Sequence, residues 1–115
     1  MPKPPRALGL TTSRIMLALA DGERHGYAIM RDLRSDGLGA ALGPGTLYRT
    51  IDQLLEEKLI VESASPSSAS TDERRRYFRL TPAGRRALAR EAARLSELVK
   101  RAASKGLFVP ARGQR

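Results

Sequence analysis

A set of polar side chains lies on one face of a helix that we predict to begin just after Gly43. Residues 43–60 read GPGTLYRTIDQLLEEKLI. The polar groups are short or planar, the kind that reach base edges and phosphates when a helix enters a DNA groove. They are Thr46, Arg49, Gln53 and Glu56, with Tyr48 and Thr50 on the flanks. An ordinary amphipathic surface helix has the same pattern, so both interpretations stay open for this stretch alone.

The sequence around these groups predicts how they are held. Gly43 is acceptable at a helix N-cap, and Pro44 suits the first helical position. Apolar residues follow with the i, i+4, i+7, i+8 spacing of one buried stripe, and they are Leu47, Ile51, Leu54 and Leu55. The polar face is therefore expected to point away from the core.

Two further helices are predicted before this one. Residues 13–20, SRIMLALA, are apolar almost all round, and Thr11, Thr12 or Ser13 can cap them. After the turn signal at 21–22, residues 25–37 form the second helix, and glycines between 35 and 43 end it. The order is that of a helix-turn-helix unit whose recognition helix comes last.

Two short strands are predicted after the recognition helix. They cover residues 60–64 and 75–80, and in the second strand Phe78 and Leu80 alternate with polar neighbours. The small polar run at 63–73, SASPSSASTDE, joins them as a flexible loop. Two strands in this position form a wing. The arginines at its base suit phosphate contact, and they are Arg74, Arg75 and Arg76.

A last helix is predicted from Thr81-Pro82 to about Lys105, where Gly106 stops it. Its apolar residues are spaced 4-3-4-3, which is a heptad seam, and they are Leu88, Ala92, Leu95, Val99 and Ala102. So short a seam needs more cover, and we expect it to dimerise against the apolar first helix of a second copy, through Ile15 and Leu19. The alternative is a seam folded onto the chain's own core.

Composition points to a polyanionic partner. The net charge is +9 and the pI about 11, which favours nucleic acid over an anionic membrane surface. No run approaches a membrane span and no signal-peptide core is present, so we expect a cytoplasmic protein. Cysteine is absent and His25 is the sole histidine. Its place at a helix start suits packing or capping, so we expect neither a cofactor, a metal site nor an enzyme.

These elements predict a mainly α fold with a small β-hairpin, namely a winged helix-turn-helix followed by a C-terminal dimerisation helix. We assign residues 1–10 to a flexible basic arm, 11–80 to the DNA-binding domain, 81–106 to the dimerisation helix and 107–115 to a flexible tail.

Three segments in order, HGYAIMRDL, GPGTLYRTIDQLLEEKLI and RRRYFRLTPAGRRAL, resemble the PadR family of transcriptional regulators. The resemblance covers roughly residues 12–105 and is closest to the smaller members, with one C-terminal helix. It implies a winged-helix homodimer, usually a repressor, on a pseudo-palindromic operator. Carried over by position, Thr46, Tyr48 and Arg49 would contact DNA from the recognition helix. Pro44 and Gly45 would lie near a phosphate.

Two positions depart from the family pattern. Lys58 stands where the family usually has the glycine that closes the recognition helix, and a left-handed lysine costs roughly 1 kcal/mol relative to glycine. The chain also has no tryptophan, which family members with flat aromatic ligands use at the dimer interface. An aliphatic effector at that interface, or none, therefore stays open.

We therefore predict a sequence-specific DNA-binding transcriptional regulator, a repressor acting as a homodimer. The alternative is a basic winged-helix module that binds RNA or a protein partner.

Overall fold

The computed structural model describes residues 7–35, 43–63 and 76–109. These residues contain four helices and three short strands, in the order expected of a winged helix. In chain order they are α1 (Leu10–Ala18), β1 (Arg24–His25), α2 (Gly26–Ser35), α3 (Pro44–Glu56), β2 (Ile60–Ser63), β3 (Tyr77–Leu80) and α4 (Pro82–Ser104). The predicted fold class, mainly helical with a small wing, is confirmed.

The start of α1 differs from the prediction. The helix begins at Leu10 with Gly9 as its N-cap, and no side chain caps it. The preceding Leu8 is buried in the core, and its backbone N–H donates to Glu91 Oε1 at 3.1 Å. The boundary that we drew for a flexible arm at residue 10 is therefore too late, because Leu8 finds an apolar site and a buried acceptor on α4.

The sheet has one strand more than the predicted hairpin. β3 lies in the middle, with β2 and β1 antiparallel on either side. β1 pairs Arg24 with Phe78 and His25 with Tyr77. A strand of two residues has no periodicity from which it could be predicted, and it forms because β3 offers a free edge.

The helices and the sheet share one hydrophobic core. Phe78 is fully buried at the centre of the sheet, and Leu80 points the same way, as the alternation in the sequence predicted. The apolar stripe of α3 packs beneath them. The other large, fully buried side chains are Ile15, Met16, Leu19, Ile29, Leu47, Ile51, Leu54 and Ile60.

The end of α3 is locked by a Schellman motif. Leu59 N–H donates to the Leu54 carbonyl and Lys58 N–H to the Leu55 carbonyl, both at 3.0 Å. This pair of hydrogen bonds requires a residue in the left-handed conformation, and Lys58 has φ +62°. The conformation that the sequence suggested for Lys58 is confirmed.

The start of α4 is anchored to that same turn. The Thr81 side chain accepts from Gly84 N–H at 2.9 Å, which confirms the predicted cap, and it donates to the Lys58 carbonyl at 2.8 Å. A Cβ at Gly84 would collide with the Leu59 carbonyl. Only glycine lets α4 approach this closely, so the wing, α3 and α4 are fixed relative to one another.

Only the first half of α4 is covered by the rest of the chain. Gly84, Ala87 and Glu91 are buried, whereas every residue from 92 to 101 is exposed. Among the residues that the structure describes, none of the helices has the length and apolarity needed to cross a membrane.

Candidate nucleic-acid interface

The polar face of α3 points to solvent. Leu47, Ile51 and Leu54 are buried, and this burial turns the opposite face of the helix outward. Thr50 is half-buried, and its hydroxyl donates to the Thr46 carbonyl at 2.9 Å. The remaining residues that we predicted to contact DNA from this helix are exposed, namely Pro44, Gly45, Thr46, Tyr48, Arg49 and Gln53.

The beginning of α3 is suited to an anion. The N-cap Gly43 provides no side-chain acceptor for the first turn, and that turn holds no acidic residue. The N–H groups of Gly45 and Thr46 have no partner within the helix by its geometry. They lie at the positive end of the helix dipole, where phosphate is favoured.

Tyr48 is shared between the exposed face and the packing of α3 on α2. Its side chain is 41% exposed, yet its ring lies against the backbone of Gly26, where an added Cβ would be 2.8 Å from the ring carbon Cζ. Gly26 therefore makes the room that lets Tyr48 lie beside the start of α2. This contact fixes the tyrosine ring at the edge of the recognition surface.

The structure describes one of the three arginines that we predicted at the base of the wing. Arg74 and Arg75 lie outside the described residues. Arg76 is exposed and forms a two-pronged ion pair with Glu62 of β2, at 2.9 and 3.1 Å. Its guanidinium also lies 5.2 Å from the centre of the Phe78 ring. Arg76 is thus a cross-strand clamp of the wing as well as a candidate phosphate contact.

Electrostatics connect this clamp to the recognition helix. The hydrogen bond from Arg76 holds the pKa of Glu62 below its ordinary value, against a smaller opposing effect of burial. The pKa of Arg76 is raised, chiefly by that bond, with smaller contributions from Asp52 and Tyr48 of α3. The base of the wing and the exposed face of α3 therefore lie within electrostatic reach of each other.

A cluster of rings at the start of α2 was not predicted as part of the interface. His25 Nδ1 accepts from Ala28 N–H at 3.2 Å, which confirms His25 as a capping residue. Its ring stacks on Tyr27 at 6.3 Å and meets Tyr77 of the wing edge-on at 5.3 Å. The Arg31 guanidinium lies 5.6 Å from the centre of the Tyr27 ring. The i, i+4 spacing of Tyr27 and Arg31 was the available sequence signal.

A second surface, mainly apolar but also lined by Arg14, Asp32 and Glu91, lies between α1 and α4. It is a groove of about 600 Å³. The exposed Leu10 and Leu17 of α1 border it, and α2 closes its third side. The Ser13 hydroxyl also lines it, buried and without a hydrogen-bond partner in the described part of the chain.

The residues that we predicted for dimerisation divide into two groups. Ile15 and Leu19 are 0% and 1% exposed, so that prediction was wrong. They lie on the core side of α1, and Leu10 and Leu17 occupy its outer side.

On α4, Leu88 packs partly against the chain's own core and Ala102 is half-buried. Ala92, Leu95 and Val99 are exposed, together with Leu98, which we did not predict.

Comparison with known proteins identifies the family to which this geometry corresponds. Residues 15–90 match the model of the transcriptional regulator PadR-like family. A transcriptional regulator of Mycobacterium tuberculosis is 37% identical over 81 residues, which are 70% of this chain and 71% of that protein. An uncharacterized 37.1 kDa protein in transposon Tn4556 of Streptomyces fradiae is 42% identical over 84 residues, and the aligned part of the chain spans only 22% of its length.

Solved structures agree on the fold. A PadR family transcription regulator from Clostridium difficile has a TM-score of 0.72 at 24% identity, covering 84% of this chain and 97% of that one. A PadR-like transcription factor from Bacteroides fragilis has a TM-score of 0.70 at 25% identity, covering 84% and 89%.

Proposed function

The chain belongs to the PadR-like family of transcriptional regulators, and we propose that it is a repressor that binds a pseudo-palindromic operator as a homodimer. Regulators of this family bind DNA and are not enzymes. The observation that carries the proposal is the outward polar face of α3, which presents Thr46, Arg49 and Gln53 to solvent. Side chains of these types at the start of a helix read base edges in the major groove.

The apolar surface between α1 and α4 supports a second copy as the partner. An exposed apolar surface of this kind marks an interface. Leu10 and Leu17, which line the groove, are 59% and 62% exposed, and beyond the groove Leu98 and Val99 of α4 are 63% and 42% exposed. Because the groove and the uncovered half of α4 belong to one chain, a two-fold axis lets each copy cover the other. Leu10 and Leu17 replace Ile15 and Leu19 in this proposal.

Two-fold symmetry also determines the form of the operator. Each recognition helix enters a major groove, and half-sites follow about one DNA turn apart or at a multiple of it. Occupancy of such a site within a promoter excludes RNA polymerase. An effector in the groove at the dimer interface would change the spacing of the two recognition helices and release the DNA.

A selection from random duplex oligonucleotides with the purified full chain tests the proposal. We expect a two-fold symmetric motif to be enriched. The selected site, placed across a promoter, should then lower transcription in vitro in proportion to its occupancy. Enrichment of a single asymmetric half-site would contradict the dimer. Equal binding of duplex DNA and structured RNA would favour the alternative, a general basic module.

Arg49→Ala tests the role of the recognition helix. Removing a side chain that reads a base lowers the protein's discrimination against the wrong base by ~1–3 kcal/mol. We therefore expect binding of the selected site to fall more than binding of unrelated duplex. Arg101→Ala is the matched control, since Arg101 is an exposed arginine on the far half of α4 and is neither a groove residue nor one of the apolar residues of the proposed interface. Equal losses on both duplexes would mean that Arg49 contacts only phosphate.

Leu17→Glu tests the interface between copies. The substitution places a charge in the apolar surface, and it should shift sedimentation from dimer to monomer and weaken operator binding. Val61→Glu is the control for sedimentation alone, because Val61 is also exposed but lies on the wing opposite Arg79, where a new charge affects DNA binding rather than the contact between copies. A Leu17→Glu chain that remains dimeric would rule out this surface.

A further inference from the structure

We propose that the exposed pair Tyr27 and Arg31 on α2 forms a second contact with the DNA backbone, separate from the face of α3. In this assignment Arg31 contacts a phosphate, and the ring of Tyr27 positions its guanidinium. The inference rests on the proposed function, because it requires that α3 and the wing lie on duplex DNA.

The place of the pair in the fold is the first argument. Gly26, next to Tyr27, touches Tyr48 of α3. On the other side, His25 meets Tyr77 at the beginning of β3. The start of α2 therefore lies between the recognition helix and the wing. If α3 occupies a major groove, the DNA backbone that runs from that groove toward the wing must pass the start of α2.

The exposure of the pair is the second argument. Tyr27 is 61% exposed, so most of its side chain is accessible to a partner molecule. One edge of the ring system is held by His25, which stacks at an interplanar angle of 10°. The tyrosine ring is therefore packed on one side, and the Arg31 guanidinium lies 5.6 Å from its centre.

The charge around the pair is the third argument. Arg31 is exposed, and in the described part of the chain no carboxylate lies within ion-pair distance of it. The neighbouring Asp32 is instead 3.4 Å from Arg24 Nε. An arginine fork over an aromatic ring keeps its outer N–H groups free for phosphate oxygens. Among the described residues Arg31 is thus a cation without an ion-pair partner, on the helix that lies between α3 and the wing.

Salt dependence of binding is the test that distinguishes a phosphate contact from a solvated arginine. The probe is a fluorescein-labelled 30-base-pair duplex of mixed sequence, titrated with the full chain at a series of KCl concentrations. Removing one arginine–phosphate interaction should reduce the slope of log K against log[KCl] by about 0.9, which corresponds to roughly eightfold weaker binding at 0.1 M KCl. For Arg31→Gln we expect the slope to fall by this amount if one copy of the chain makes the contact, and by twice this amount if both copies of a dimer make it. Arg101→Gln is the control and should keep the slope.

Tyr27 is tested as a positioning residue by its coupling to Arg31. Tyr27→Ala should weaken binding severalfold, and Tyr27→Phe, which keeps the ring, should restore it. In the Arg31→Gln background Tyr27→Ala should cause no further loss, because there is then no guanidinium to position. Thermal unfolding of each variant shows whether it is folded at the temperature of the titration.

The outcomes separate the inference from the function on which it rests. An Arg31→Gln chain whose slope falls no more than that of Arg101→Gln overturns the inference while wild-type binding stands. A Tyr27→Ala loss of affinity that is the same with and without Arg31 overturns the positioning role. Wild-type protein that fails to bind the duplex even at 50 mM KCl would overturn the proposed function itself.

Discussion

Replacing Lys58 by glycine should stabilise the protein. Lys58 occupies the left-handed position of the Schellman motif at the end of α3, with φ +62°. Its N–H and that of Leu59 complete the motif at 3.0 Å each, so the backbone cannot relax without breaking both bonds. The strain is therefore retained in the folded state, where a glycine would carry none.

The expected magnitude is the difference of two effects. A non-glycine residue in the left-handed region costs roughly 1–2 kcal/mol. Replacing lysine by glycine removes this cost from the folded state. Glycine also makes the unfolded chain more flexible, which offsets about 0.4–1 kcal/mol of the stabilisation. Lys58→Gly should therefore raise the free energy of unfolding by about 0.5–1 kcal/mol, which corresponds to roughly 2–4 °C in Tm for a domain of this size.

Calorimetry and urea unfolding measure this difference, with Lys58→Ala as the matched control. Alanine removes the charged side chain but keeps the penalty of the left-handed backbone, so it should unfold close to wild type. A lower Tm for Lys58→Gly would refute the reasoning. A gain for Lys58→Ala as large as that for glycine would show that charge, not backbone strain, is the cause.

The remaining predictions concern packing and electrostatics. Gly26→Ala should lower Tm and weaken operator binding together, because the new methyl group displaces the tyrosine ring packed there; unchanged binding would contradict this. Glu91→Ala should cost about 1–3 kcal/mol in urea unfolding, since it leaves the buried Leu8 N–H without an acceptor, whereas Glu91→Gln should cost less than half as much. The pKa of Glu62 is lower in the folded chain than its ordinary value, so its exposed pair with Arg76 contributes at most ~0.5 kcal/mol at neutral pH. That contribution should vanish as pH falls through the lowered pKa of Glu62, and a Glu62→Gln difference that persists at pH 2 would refute it.

Much of this fold could be predicted from local patterns. The Pro44 start of α3, its apolar stripe and the alternation around Phe78 each follow from one element's own periodicity. The capping of α4 by Thr81 needs only residues close together in the chain, as does the left-handed backbone at Lys58. Local rules suffice there because the interactions involved span a few residues.

Other features depend on contacts between residues far apart in sequence. Ile15 and Leu17 are both apolar residues of α1, and nothing in their types shows that one packs in the core and the other faces solvent. That choice is made by the direction from which α2 and α4 approach. Leu8 is ordered by a carboxylate 83 residues away, which no local pattern contains.

The interface shows the same division. The residue types of α3 indicated a DNA-reading helix, because short and planar polar groups on one face follow from helical spacing. The engagement of Arg76 by Glu62, and the position of Tyr27 and Arg31 between α3 and the wing, arise when β3 pairs with its two neighbours. A sequence states which side chains a helix can present, and the packing of distant segments determines which of them remain free to meet a partner.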